Sequence, residues 1–143
     1  MSLRTCLLSL RIATAFLSVL MLAQVALAGG FLGGHYDMLA LHGTLGRVIT
    51  VVALLTAVAA FLVRRAGGPR AVLPAAIALV PVLVGQIALG MGRAVTLHVL
   101  LGVILVSAVA VLSQRVLTTP LPPKTPAAPA PAPERDAHPE PVQ

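Results

Sequence analysis

The sequence predicts an all-α membrane protein: a four-helix transmembrane bundle, up-down-up-down, built from two repeated hairpins and followed by a disordered C-terminal tail. Three observations predict this class. Hydrophobic residues make up 58% of the 143 residues and charged residues only 10%, whereas soluble domains usually carry about a quarter charged residues. The apolar residues fall into four long stretches, and short turn sequences separate these stretches. The length suits one domain.

Each apolar stretch is long enough, or nearly so, for the roughly 20 residues of a transmembrane helix. The four stretches cover residues of about 9–28, 38–63, 71–89 and 96–117. Glycine and proline clusters mark the breaks between them: Gly29-Gly30 and Gly33-Gly34, Gly67-Gly68-Pro69, and Gly90-Met91-Gly92. Because the connections are short, consecutive helices should be antiparallel neighbours. We expect residues 1–117 to form one transmembrane domain.

Basic residues predict the orientation, since cytoplasmic loops carry an excess of Lys and Arg. Most of them flank the first helix, fill the second loop or follow the fourth helix: Arg4, Arg11, Arg64, Arg65, Arg70, Arg115 and Lys124. A multi-pass protein of the cell membrane with both termini in the cytoplasm fits this distribution. The net charge of +6 does not indicate nucleic-acid binding, because the basic residues are scattered between apolar runs.

Two terminal segments have their own interpretation. The first apolar run, which ends in Ala26-Leu27-Ala28, has an alternative reading as a cleavable signal peptide. Residues 118–143 contain nine prolines among mostly Ala, Thr and charged residues, so neither a packed core nor a continuous helix is feasible there. We expect a disordered, Pro/Ala-rich cytoplasmic tail.

The two predicted hairpins carry matching polar residues. Gln24 and Gln86 lie near the ends of the first and third helices, and His42 and His98 near the starts of the second and fourth. Four positions after each comes a small residue on the same helix face: Ala28, Gly46, Gly90 and Gly102. We interpret the hairpins as parallel repeats about an axis along the membrane normal, with all four polar side chains in the outer third of the bundle.

His42 and His98 are candidate ligands of one haem iron. Ionisable residues inside a membrane are costly and usually face the bundle interior, and haem iron takes His as an axial ligand. With an imidazole reach of about 6 Å and a metal–nitrogen bond of about 2 Å, a shared iron needs Cα atoms roughly 13–16 Å apart. Diagonal helices of a bundle lie about 12–14 Å apart. This spacing predicts haem b between the second and fourth helices.

Four further residues would support that cofactor. Gly46 and Gly102 would let the porphyrin approach the backbone. Arg47 and Arg93 lie near the outer ends of the helices, where they could pair with haem propionates. Arg47 has an alternative role in snorkelling to the interface, and Arg93 one as an ordinary loop charge.

Gln24 and Gln86 could hydrogen-bond propionates, loop carbonyls or the second ring nitrogen of a histidine. An alternative without a cofactor applies to all four polar residues, since buried His and Gln also form structural hydrogen bonds between membrane helices. Binding of another ligand or metal is a third reading of His42 and His98.

The residues in the order Gln24, His42, Gln86 and His98, with their Gln-x-x-Leu-small and His-x-x-x-Gly elements, resemble one four-helix half of the haem A synthase family. The sequence is also similar to small four-helix membrane proteins with this arrangement. The resemblance covers residues 24–102 and implies a bundle with a bis-His haem between His42 and His98. The chain has a single bundle and no glutamate one turn before His42, so haem hydroxylation is not among the expectations.

The sequence therefore predicts an integral membrane haem-binding protein that transfers single electrons or handles haem near the outer face. Its expected partners are the lipid bilayer and a quinol or redox protein at the outer surface. The alternative is a non-catalytic membrane subunit or scaffold whose His and Gln residues only bond helices together. Enzymatic chemistry is not favoured, since the sequence has no intramembrane carboxylate pair and no nucleophile arrangement.

Overall fold

The computed structural model describes residues 2–123, and within them it contains four α-helices and no strand. The helices are α1 (Leu3–Leu32), α2 (Met38–Arg65), α3 (Val72–Met91) and α4 (Val95–Thr118). All four are long and apolar enough to cross a membrane, as a multi-pass membrane protein requires. Most of the predicted tail, from residue 124 onward, lies outside the described residues.

Helix α1 extends beyond the predicted apolar stretch at both ends. Ser2 caps its start, where the side chain accepts a hydrogen bond from the Thr5 amide. At the other end the helix continues through Gly29 and Gly30. A Cβ on Gly30 would collide with the Met38 sulfur, so this glycine lets the start of α2 pack closely against α1. The sequence predicted that these glycines end the helix, because a sequence pattern does not show the contact with Met38.

Three helix ends share one backbone motif. After α1, α2 and α3 the residue beyond the C-cap has a positive φ, and the amides around it bond back to carbonyls three and five residues earlier, which is the Schellman pattern. The residues with positive φ are Gly34 (97°), Gly67 (87°) and Arg93 (56°). Left-handed backbone favours glycine, so Arg93 is the unusual member of the three.

The helices contact one another as a closed ring: α1 with α2, α2 with α3, α3 with α4, and α4 with α1. The buried residues form one continuous cluster. In each helix they occupy a limited stretch: 6–21 in α1, 49–63 in α2, 72–83 in α3 and 105–116 in α4. Gln24, His42, Gln86 and His98 all lie outside these stretches. The core therefore stops before the predicted site.

The α1–α4 contact has no connecting loop, and polar side chains hold it instead. The Arg11 guanidinium donates to the backbone carbonyls of Val116, Leu117 and Thr119, which are carbonyls that the end of a helix leaves without intrahelical partners. Nearby, Ser113 donates to the Thr14 carbonyl at 3.1 Å and pairs with the Ser18 hydroxyl at 2.8 Å.

Arg4 adds a hydrogen bond to the Pro122 carbonyl at 3.0 Å. We call Arg4, Arg11, Thr14, Ser18 and Ser113 the Arg11 cluster, and the end of the bundle where they lie the Arg11 end. A positive side chain beside the last carbonyls of α4 also complements the helix dipole.

Candidate functional site

Gln24, His42, Gln86 and His98 form a layer, here called the His–Gln layer, in which each Gln contacts the His of the neighbouring helix. Gln24 Nε2 donates to the His42 carbonyl oxygen at 3.0 Å, and His42 Nδ1 lies 3.2 Å from the Gln24 carbonyl oxygen. The α3–α4 pair repeats these bonds. Gln86 Nε2 donates to the His98 carbonyl at 2.7 Å, and His98 Nδ1 lies 2.9 Å from the Gln86 carbonyl. Both helix pairs thus make the same reciprocal contacts.

These contacts fix the tautomer of both histidines. A backbone carbonyl oxygen can only accept, so the Nδ1 atoms of His42 and His98 must carry the hydrogen. A neutral imidazole protonated at Nδ1 has its free lone pair on Nε2. Metal-bound histidines commonly show this arrangement, in which the second nitrogen donates to a backbone carbonyl that orients the ring. Each ring therefore has its Nε2 lone pair available to accept a hydrogen bond or to coordinate a metal.

The two imidazole rings approach each other edge-on across the bundle. Their centres are 6.0 Å apart and their planes are inclined by 63°. The rings belong to α2 and α4, whose backbones do not come close to each other among residues 2–123. Two side chains from opposite corners of the ring of helices consequently meet in its middle.

This separation fits a shared haem iron. Two iron–nitrogen bonds of about 2 Å, plus about 1 Å from each nitrogen to its ring centre, place the ring centres about 6 Å apart. The donor set is also suitable, since neutral imidazole is an ordinary axial ligand of haem iron. Within residues 2–123 no group of three or more His, Cys, Asp and Glu side chains comes together.

Gly46 and Gly102 seat the glutamine side chains. A Cβ on Gly46 would lie 3.3 Å from Gln24 Nε2, and a Cβ on Gly102 would lie 3.1 Å from Gln86 Nε2. Both distances are tighter than ordinary packing allows, so a larger residue would displace the amide. The His-x-x-x-Gly spacing therefore places a glycine one turn beyond each histidine, and the Gln amide packs against the helix backbone at that glycine.

Both glutamines keep an unpartnered acceptor. The Oε1 atoms of Gln24 and Gln86 are buried and accept no hydrogen bond from the described residues. The amide orientation is not in question, because each Nε2 must face the carbonyl to which it donates. Buried polar atoms in proteins nearly always have a partner, so these oxygens call for a donor such as a water molecule or a ligand hydroxyl.

The two predicted arginines are not part of this layer. Arg47 is exposed, and its guanidinium donates to Thr44 Oγ1 on its own helix at 3.2 Å. Arg93 is exposed in the α3–α4 turn. In the loop between α1 and α2, Tyr36 packs edge-on against Phe31 with ring centres 5.9 Å apart. His35 and Asp37 beside it are exposed.

Sequence reasoning found the residues of the layer but not the atoms that bond. It offered the histidine ring nitrogens as one of three kinds of partner for the Gln side chains, besides propionates and loop carbonyls, whereas in the structure the ring nitrogens bond the Gln backbone carbonyls. Side-chain patterns carry no signal for a backbone acceptor. The Arg11 cluster was also missed, although Arg11 inside an apolar stretch was a signal that its charge needs partners.

Comparison with known proteins gives no further information. The chain matches no family model, and neither a curated protein nor a solved structure matches it significantly. The assignment of a function to the His–Gln layer accordingly depends on its geometry.

Proposed function

We propose that this chain is an integral membrane haem-binding protein in which His42 and His98 hold one b-type haem. The observation that carries the proposal is the 6.0 Å separation of the two rings together with the Nδ1 bonds that leave both Nε2 atoms free. When bound, haem supplies a one-electron iron couple. The function is then single-electron transfer or haem handling.

The chain's own residues prepare the site. The Gln carbonyls hold both imidazoles in the tautomer that binds iron, and the Gln side chains tie the histidine backbone to the neighbouring helix. The histidines are thereby oriented before haem binds, which is the usual role of the groups that hydrogen-bond metal-binding histidines. Arg47 and Arg93 remain candidate partners of the propionates.

The topology that we infer has helices alternating in direction, two repeated helix pairs, both termini in the cytoplasm and the His–Gln layer near the outer face. The matching contacts of Gln24–His42 and Gln86–His98 support the repeat. A single haem near one face does not carry electrons across a hydrocarbon core about 30 Å thick. The proposal therefore favours electron exchange with a quinol or a redox partner at the outer surface.

The test is an absorption spectrum of protein purified from haem-replete cells. Two imidazole ligands make the iron low-spin, so we expect sharp α and β bands in the reduced-minus-oxidised spectrum. His42→Ala and His98→Ala should each abolish these bands. His35→Ala is the matched control, because His35 is an exposed loop histidine and its loss should leave the spectrum unchanged.

A colourless preparation despite excess haem would exclude this function. It would also favour the second candidate, a non-catalytic scaffold. One observation supports that candidate: all four hydrogen bonds of the His–Gln layer join neighbouring helices, as structural bonds would. The unpartnered Gln oxygens do not separate the two candidates, because a water molecule satisfies them equally well in a scaffold and in a haem protein.

A further inference from the structure

The two helix pairs, α1 with α2 and α3 with α4, are joined at one end only. Among residues 2–123, every side-chain hydrogen bond between the pairs belongs to the Arg11 cluster. The covalent link between α2 and α3 lies at this same end, because a Cβ on Gly68 would come within 3.1 Å of Leu3 Cδ1 at the start of α1. The buried core fills this part of the bundle.

The histidine end, where the His–Gln layer lies, is built differently. The reciprocal Gln–His bonds tie each pair internally, and the loops after α1 and α3 close each pair covalently. Across the pairs, the described residues form no hydrogen bond there, and the two imidazole rings meet only in an edge-on contact. The His–Gln layer lies outside the stretches of buried residues. Across the pairs, this end is held by the ring contact and by apolar packing, such as that of Gly46 in α2 near Ile87 in α3, without a hydrogen bond.

We propose that the two helix pairs are hinged at the Arg11 end and separate at the histidine end to admit and release haem. This inference rests on the proposed haem site. Separation there breaks no hydrogen bond among the described residues, and the apolar contacts that it gives up are ones that lipid replaces at little cost. Each Gln–His unit moves with its own helix pair, since its bonds stay within that pair. Ligation by His42 and His98 then joins the pairs and closes the protein.

Spin labels on exposed residues test the hinge directly. One pair of labels spans the helix pairs at the histidine end, on Leu39 of α2 and Val95 of α4. The control pair spans them at the Arg11 end, on Phe61 of α2 and Leu117 of α4. All four side chains are exposed. The background is Cys6→Ala, because Cys6 is the sole cysteine. Distance distributions are measured in nanodiscs, before and after haem addition.

In haem-free protein we expect a broad distribution at the histidine end and a narrow one at the Arg11 end. Haem should narrow and shorten the first distribution and leave the second unchanged. A histidine-end distribution already as narrow as the control, and unchanged by haem, would overturn the hinge. The measurement on haem-free protein does not need a bound cofactor. A protein that takes up no haem refutes the proposed function, whereas its histidine-end distribution separately tests the hinge.

Discussion

The two ends of the bundle solve the problem of helix association in different ways. At the Arg11 end, buried side chains pack and an arginine bonds the last carbonyls of a helix. At the histidine end, packing gives way to polar bonds within each helix pair and to two imidazoles that meet in the middle. In lipid, apolar side chains gain little from leaving their surroundings, so close packing and polar bonds hold helices together. The comparison separates an end held by packing and by bonds between the helix pairs from an end whose polar bonds stay within each pair and where we propose that haem binds.

Truncating a packed leucine should have the largest effect on stability. Leu17 in α1 is fully buried, and Leu17→Ala leaves a cavity. Because lipid solvates leucine as well as the core does, the transfer term is small and we expect the lower end of the usual range, about 2 kcal/mol. The measurement is the free energy of unfolding from an SDS titration of the protein in detergent micelles.

Two further leucine-to-alanine variants of α1 show where along the helix truncation lowers the unfolding free energy. Leu22 is 65% exposed, and Leu22→Ala should change the unfolding free energy by no more than about 0.5 kcal/mol. Leu27 is half-buried and near the histidine end, so Leu27→Ala should fall between the two. A Leu27→Ala loss equal to that of Leu17→Ala would show that the histidine end is as tightly packed as the Arg11 end, contrary to the comparison above.

Removing the Arg11 guanidinium should have the next largest effect. Arg11→Gln loses the charged donor to the carbonyls of α4, and hydrogen bonds to charged groups contribute about 1.5–3 kcal/mol. Since Arg11 is only half-buried, we expect about 1.5 kcal/mol in the same SDS titration. Arg70→Gln is the control, because it removes one basic residue from an exposed position. Equal losses in the two variants would indicate a general charge effect and no specific role for Arg11.

The sequence was sufficient for the four helices and for the choice of polar residues, and insufficient for the bonds between them. Long apolar runs make helices inevitable in lipid, because every backbone group must be satisfied within the segment. Gln24, His42, Gln86 and His98 were identifiable because polar side chains are costly in that setting. Their actual partners are backbone carbonyls, whose positions depend on how deeply one helix lies against another. The contact between α1 and α4 was likewise not predictable, because no loop joins these two helices and their contact depends on packing.

The glycine one turn beyond each histidine offers a test of the histidine end alone. Gly102→Ala places a Cβ against Gln86 Nε2, and Gly46→Ala does the same to Gln24. Displacing the amide removes its bond to the histidine carbonyl and so loosens the interhelical contact that positions each histidine. Loss of such supporting contacts typically weakens metal binding by about 10–100-fold. We expect a loss of about tenfold in haem affinity, larger for Gly102 because its contact is tighter, measured by spectroscopic titration of haem-free protein.

Gly43→Ala and Gly85→Ala serve as matched controls for that experiment. Both glycines are helical, and a Cβ on either would have no neighbour within 4 Å. All four variants gain the same helix propensity, about 1 kcal/mol relative to glycine, so the comparison cancels this term. Haem affinity that falls equally in all four variants, or in none, would contradict the seating of the Gln amides on Gly46 and Gly102.

The smallest effect should come from the hydroxyl bonds of the Arg11 cluster. Ser113→Ala removes the bonds to the Ser18 hydroxyl and the Thr14 carbonyl. Polar bonds between membrane helices average about 0.6 kcal/mol, so the unfolding free energy should fall by roughly that amount. Ser107→Ala is the control, since the exposed Ser107 hydroxyl bonds only the Val103 carbonyl of its own helix. A double-mutant cycle with Ser18→Ala isolates the hydroxyl–hydroxyl term. Full additivity in that cycle would mean that the Ser18 and Ser113 hydroxyls do not couple.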